Sequence, residues 1–475
     1  LPASKKRCSR SPMLVNRVER GRYLDSVALM RVSRKLEALA GVKSAAVMIG
    51  SPSNRDLLRG AGLLAREGEA ATPNDLIIAI LAHDERFGAD AMRQADTLLS
   101  ETQGVASTES LPRARGLGGG LGLMPQANLA LISVPGEFAA HEARRALERG
   151  LHVLLFSDNV PLEDEAALKR LAGERGLLMM GPDCGTAIIA GTPLAFANVL
   201  PRGDIGIVSA SGTGLQEVAA LIARMGGGIS HGIGVGGRDL DARIGALGTL
   251  AAIDALAADA ATAKIVLISK PPAPEVALRV LERIKGTSKP CVVCFLGMER
   301  DQSPMFAGTL TEAAERAVGK KISPLPSTEL KKLRGKRVEG LYCGGTLCAE
   351  AELIFRRKGL SGHRFVDLGD DEYTRGRPHP MIEPELRNDH VARAMANPEV
   401  GLVLVDVVLG YGAHENPAGV LLKTITGQKP VIASVTGTEQ DPQGWSRQVA
   451  LLREAGVLVA ASNAHAAELA ASMVS

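Results

Sequence analysis

The sequence predicts an α/β protein of several domains. Short apolar runs closed by Gly, Pro or Asp alternate with amphipathic helical stretches through most of the 475 residues. The loops between them are short, which implies parallel strands joined by crossover helices. A strand–turn–helix pattern also occurs twice, as Ser211-Gly212-Thr213 and as Gly344-Gly345-Thr346.

Taken in order, residues 1–13 are expected to be a disordered extension. They carry Lys5, Lys6, Arg7 and Arg10, with no apolar stretch behind them. Residues 14–102 read as a small N-terminal α/β domain. Its strands are Leu14–Val18, Val42–Ile49 and Asp75–Leu81, with helices over Tyr23–Leu39 and up to about Ser100. Residues 103–124 read as a Gly-rich linker, because Gly116, Gly118, Gly119, Gly120 and Gly122 oppose any fixed helix or strand. Residues 125–200 alternate strands (Asn128–Val134, His152–Phe156, Leu177–Met180) with helices (Glu137–Glu148, Leu162–Glu174), the pattern of a parallel sheet. Residues 201–320 open with strand Ile205–Ser209 and helix Leu215–Met225. Residues 337–475 open with strand Val338–Cys343 and helix Leu347–Lys358, and a basic, proline-marked linker, 321–336, separates the two.

These last two segments read as copies of one flavodoxin-like unit. The spacing that carries Ser211-Gly212-Thr213 onto Gly344-Gly345-Thr346 also carries Glu217 onto Glu350. Second strands end in Gly236-Gly237-Arg238-Asp239 and Leu368-Gly369-Asp370-Asp371. Third strands are Ile265–Ser269 and Leu402–Asp406, and fourth strands follow Lys289-Pro290 and Lys429-Pro430.

Composition narrows the function. Lys+Arg number 55 against 52 Asp+Glu, a net charge of +3 with no clustered basic run across the domains, and aromatics are 3%. Neither suits nucleic-acid binding. No run is long and apolar enough for a membrane span. Six cysteines in so long a chain make no disulfide framework, so a cytoplasmic protein with reduced thiols is expected. Cys291 and Cys294 lie three apart in an apolar strand, on opposite sheet faces. The nine histidines show no metal-ligand spacing, so no metal is expected. Cys184 has no histidine at a recognisable partner position for nucleophilic catalysis.

The repeated turn is the strongest chemical signal. Backbone N–H groups at a helix N-terminus favour an anion, and small residues let it approach. Ser209, Ser211, Gly212, Thr213, Gly344, Gly345 and Thr346 are therefore expected to bind phosphate. Thr213-x-x-Gln216 also has the spacing of a capping box. Glu217, Glu350, Asp239 and Asp371 are candidates for orienting groups around that site. Arg375, Arg377 and His379, in the loop after the second copy's second strand, are substrate-side candidates, since arginine forks suit carboxylate or phosphate. Lys270, ending a third strand, is a further cation.

The stretch Gly206–Thr213 with Glu217 resembles the Ser-Gly-Thr-x-x-x-Glu turn of succinyl-CoA synthetase α subunits. Gly234-Val-Gly-Gly237 resembles that family's next strand end, and Gly181-Pro-Asp-Cys-Gly185 its Gly-Pro-Asn-Cys turn, with Asp183 replacing Asn. Over about 14–475 the chain is similar to the FdrA family of fused acyl-CoA synthetase-like proteins. Phe156–Val160, Thr192–Asn198, Asp367–Asp371, Gly376–Met381 and Val435–Thr438 carry that match. The resemblance implies a partial CoA-binding-like Rossmann domain over 125–200, without the glycine-rich opening turn, and two ligase-type domains after it. Lys270 to Lys289, where the ligases carry their phosphorylated histidine, contains no histidine.

The FdrA resemblance implies a component of oxamate carbamoyltransferase in ureide breakdown. It would act with partner subunits on a small-molecule substrate, with phosphate or carbamoyl phosphate as ligand and no covalent cofactor. A succinyl-CoA synthetase-like ligase subunit using CoA, and a non-catalytic regulatory or scaffold subunit, remain alternatives.

Overall fold

A computed structural model describes residues 12–104 except 23 and 25, residue 114, and residues 116–298, 305–323, 333, 336–374, 378–425, 427 and 429–474. Residues 1–11, most of the expected extension, lie outside that range, as does most of 321–336. The chain divides into two compact units.

The smaller, N-terminal unit has strands β1 (Met13–Glu19), β2 (Val42–Ile49) and β3 (Leu76–Ala82), in the antiparallel order β1-β3-β2. The central strand, Leu-Ile-Ile-Ala-Ile-Leu-Ala, is apolar on both faces because both are covered. Ile78 and Ile80 pack on Leu29, Leu36 and Leu99 of two helices, while Ile77 and Ala79 face Leu58 and Leu63.

The larger unit opens with a parallel sheet of β4 (Leu129–Ile132), β5 (His152–Leu155) and β6 (Met179–Met180). The hairpin β7 (Thr186–Ile189) and β8 (Thr192–Ala195) belongs elsewhere. It joins β9 (Arg202–Ser209), β10 (Ile229–Gly234), β11 (Lys264–Ser269) and β12 (Cys291–Phe295) in a six-stranded sheet, with β7 antiparallel to β10. The domain boundary read from sequence near residue 200 therefore falls inside one sheet. The last sheet holds β13 (Arg337–Tyr342), β14 (Arg364–Asp367), β15 (Val400–Val408), β16 (Val431–Thr436) and β17 (Leu458–Ala460), all parallel.

The internal copies are visible in strand order. The first runs β10-β9-β11-β12 and the second β14-β13-β15-β16-β17. Numbered within each copy, both read 2-1-3-4, the flavodoxin-like order. The fifth strand of the second copy has a reduced counterpart in the first, where Phe306 bridges in parallel to Val293. Helices Gly212–Arg224 and Leu310–Val318 of one copy and Gly345–Arg357 and Asn463–Val474 of the other share one apolar core with both sheets. Helix Gly212–Arg224 has a continuous buried run, Gly214 to Ile222, because it is covered on all sides.

One expectation is corrected. The glycine stretch expected to hold no helix forms one, Leu117–Leu123. Leu117 and Leu121, four apart on one face, pack against the core around Leu147 and Leu155, and that contact offsets the glycine cost.

Candidate functional site

In both copies the strand order reverses beside the first strand, β9 or β13, where open α/β sheets bind ligands. At the end of β9, the Ser209 hydroxyl accepts from Ser211 N at 3.1 Å and donates to Ser211 O at 2.7 Å. Ser211 is the N-cap, its hydroxyl accepting from Gly214 N at 2.9 Å. The cap is thus Ser211, and the box read at Thr213 is not what closes this helix. At the end of β13, Gly344 offers no hydroxyl, and the Asp406 carboxylate of β15 takes Cys343 N and Gly344 N at 2.8 Å each.

The two turns meet. Ser211 Oγ donates to Thr346 Oγ1 at 2.6 Å, joining the N-termini of two helices from different copies. Among the described residues, the N–H groups of Gly212, Thr213, Gly345 and Thr346 have no partner. The glycines are needed for closeness. A methyl on Gly344 would lie 3.0 Å from Thr213 Cγ2, and one on Gly345 would run into Asp367 Oδ2 and lie 3.6 Å from Lys270 Nζ. Lys270 of the first copy therefore stands at the turn of the second. Burial pushes the Asp367 carboxyl up to about 6, against the pull of Gly369 N and Lys270.

His379 lies beside the same strand end. A methyl on Gly369 would overlap His379 Nε2 and lie 2.6 Å from Cys343 O. Burial pushes this imidazole down to about 4, and Nδ1 accepts from Met381 N at 3.2 Å. Asp371 opens the short helix Asp371–Thr374. Arg375 and Arg377 lie outside the described residues.

Glu217 and Glu350 do not line the turns. They are fully buried and serve the opposite copy. Glu217 Oε1 accepts from Asn463 N at 3.0 Å, at the N-terminus of the second copy's last helix, and Oε2 accepts from the Thr436 hydroxyl. Glu350 Oε1 accepts from Leu310 N at 2.6 Å, at the N-terminus of the first copy's last helix, and Oε2 from Asn463 Nδ2 at 2.8 Å. Burial pushes the Glu350 carboxyl up to about 7, with Glu217 adding repulsion. Asp239 is likewise structural. It receives Lys169 Nζ at 2.7 Å, Gly248 N at 3.0 Å and Thr249 N at 2.7 Å, starting helix Leu247–Ala258. Cys184 is fully buried, and burial pushes its thiol up to about 12, far from a reactive thiolate.

Sequence reasoning missed Asp406, Asp367 and Asn463. The matched third strands hold a signal for the first, since Asp406 stands where the first copy has Ser269.

Two fused flavodoxin-like domains meeting through paired helix N-termini define a ligase-type α/β protein. The chain belongs to the FdrA-like acyl-CoA synthetase family. It is 42% identical to the uncharacterized protein YahF of Escherichia coli over 94% of this chain and 96% of that one. A family model described as CoA-ligase matches residues 341–473, and one described as AllF, heavy metal-associated domain, matches 13–112. The mitochondrial succinate–CoA ligase [ADP-forming] subunit alpha-2 of Trichomonas vaginalis is 34% identical over 36% of this chain and 56% of its own length. Among solved structures, the apo dinucleotide-forming acetyl-coenzyme A synthetase 1 of Ca. Korarchaeum cryptofilum has a TM-score of 0.35 and 16% identity, over 80% of this chain and 92% of that one.

Residues 13–112 contain one histidine, His83, and no cysteine. They do not fit the thiolate and imidazole sets that hold soft heavy metals. Among the described residues no group of three or more His, Cys, Asp or Glu could hold a metal ion, and no helix is long and apolar enough to cross a membrane.

Proposed function

We propose that the protein is a subunit of a carbamoyltransferase that works with partner subunits and holds phosphate or carbamoyl phosphate where its two ligase-type domains meet. The supporting observation is the joined pair of helix N-termini, Ser211 to Thr346 at 2.6 Å, with open N–H groups on both helices and Lys270 beside them. The family resemblance supplies the substrate. A phosphate oxygen attacks the ureido carbonyl of oxalurate. The C–N bond to the departing amide breaks, that nitrogen gains a proton, and carbamoyl phosphate and oxamate result. The open N–H groups and Lys270 hold the phosphate and stabilise the oxyanion as it forms. Asp367, beside Gly345 and with its carboxyl raised to about 6 by burial, is the group assigned to exchange the proton. This chemistry needs neither CoA nor a phosphohistidine.

A second reading, a subunit of an ADP-forming acyl-CoA ligase, is favoured by the CoA-ligase match over residues 341–473. Thermal shifts of the full chain separate the two. A ligand at about 100 times its Kd adds roughly 2.7 kcal/mol of stability. Carbamoyl phosphate and phosphate are expected to stabilise the chain and CoA is not; stabilisation by CoA alone transfers the case to the ligase. Thr213→Val with Thr346→Val removes two hydroxyls at the anion and is expected to weaken phosphate binding by about tenfold or more. Unchanged affinity would remove the site from these turns.

A further inference from the structure

The two turns are stiffened by different means. The first uses its own serines. The second is set by Asp406, whose two carboxylate oxygens each take one backbone N–H, of Cys343 and of Gly344, at 2.8 Å. Asp406 is in turn held by Arg387 of helix Glu385–Ala396. Nη1 of Arg387 donates to Asp406 Oδ1 at 2.9 Å and to the Asp406 carbonyl at 2.6 Å. Both side chains are fully buried, and burial pushes the Asp406 carboxyl up while Arg387 draws it down.

Such a pair is a costly way to gain stability. Apolar residues of equal volume often serve as well or better. Here the guanidinium also leaves its buried Nε without a hydrogen-bond partner among the described residues, which adds a penalty. The use of the pair lies in what it holds. The two amides it occupies come just before those of Gly345 and Thr346, which have no partner among the described residues, and the Thr346 hydroxyl meets Ser211.

We propose that Asp406 and Arg387 are positioning residues for the phosphate site. Asp406 clamps the backbone ahead of the helix so that the next two N–H groups face the first copy. Arg387 orients that carboxylate and cancels its charge, which would otherwise oppose an anion at the turn. This role rests on the phosphate reading above. An asparagine at 406 cannot replace the carboxylate, because it accepts through one oxygen and would turn its NH2 toward the second N–H.

The test is calorimetric titration of the full-length chain with inorganic phosphate. Asp406→Asn and Arg387→Met are expected to weaken binding by about tenfold or more, and Arg387→Lys to recover most of the loss. Asp75→Asn is the control. Asp75 is another buried carboxylate whose two oxygens each take a backbone N–H, of Gly21 at 3.1 Å and of Thr72 at 2.8 Å, in the N-terminal unit. That variant is expected to lose melting temperature like the others and to keep phosphate affinity within about twofold. Equal affinity in Asp406→Asn and wild type, or an equal loss in the control, overturns the proposal. If these variants do not fold, amide exchange of the wild type decides. Cys343 and Gly344 N–H are expected to be protected without phosphate, and Gly345 and Thr346 only with it; rapid exchange at the first pair overturns the clamp. A wild type that binds no phosphate refutes the functional reading, and the exchange pattern at Cys343 and Gly344 still judges the clamp separately.

Discussion

Glu350 links the stability of the paired domains to pH. Its carboxyl titrates near 7 in the folded chain, against an ordinary 4.5, because burial disfavours the charge. A raised carboxyl binds its proton more tightly when folded. Its contribution to stability is therefore complete below pH 4.5 and is lost as pH rises through 7. The shift corresponds to about 3 kcal/mol at most, of which roughly 2–3 kcal/mol falls between pH 5 and pH 8. Glu350→Gln removes this titration. The single tryptophan is a convenient reporter, because Trp445 of the second copy packs under the Arg224 guanidinium of the first, 4.2 Å from ring centre. Urea titrations followed by its fluorescence at pH 5, 6, 7 and 8 give both stability curves. The wild type is expected to lose stability relative to Glu350→Gln across that range, by an amount of this order. Two parallel curves would mean that Glu350 is ionised at ordinary pH and that burial is not controlling it.

Two further perturbations test other parts of the structure. Lys169 is buried between Glu165 Oε1 at 2.8 Å and Asp239 Oδ1 at 2.7 Å, so Lys169→Met leaves the buried Asp239 carboxylate without its counter-charge, while Glu165 keeps Arg238 Nη2 at 2.8 Å; the change is expected to cost about 3 kcal/mol, seen as a clear drop in Tm, and a loss under about 1 kcal/mol would contradict the network. Gly345→Ala puts a methyl where Asp367 Oδ2 stands, at the first residue of its helix, and isothermal titration is expected to show phosphate binding weakened by about tenfold or more without loss of fold; unchanged binding would move the anion away from Gly345.

The fold is legible wherever local pattern and global packing agree. Strands β9 and β11 are apolar runs ending in serine, β13 and β15 are apolar through most of their length, and the matched landmarks of the two copies reappear as one strand order. The hairpin at Thr186–Ala195 is misallocated from sequence because its own pattern does not say which sheet edge it joins. Helix Leu117–Leu123 is missed because composition weighs the glycines and cannot see the core beneath Leu117 and Leu121. The turn residues are readable one copy at a time. Their meeting is not, because Ser211 and Thr346 are brought together by four helices packing between two sheets. Glu217 and Glu350 show the same limit more sharply: first-turn spacing marks them as polar and inward, while their partners, Asn463 and Leu310, belong to the other copy.

That exchange of caps makes each copy chemically unfinished alone. Separated, each half would expose the bare start of its last helix and strand a carboxylate in its apolar face. A chain severed in the basic linker at 321–336 is therefore expected to remain one particle, and two fragments produced apart to regain their fold on mixing. The duplication has become a mutual dependence, in which neither half can be lost or replaced without the other having to change.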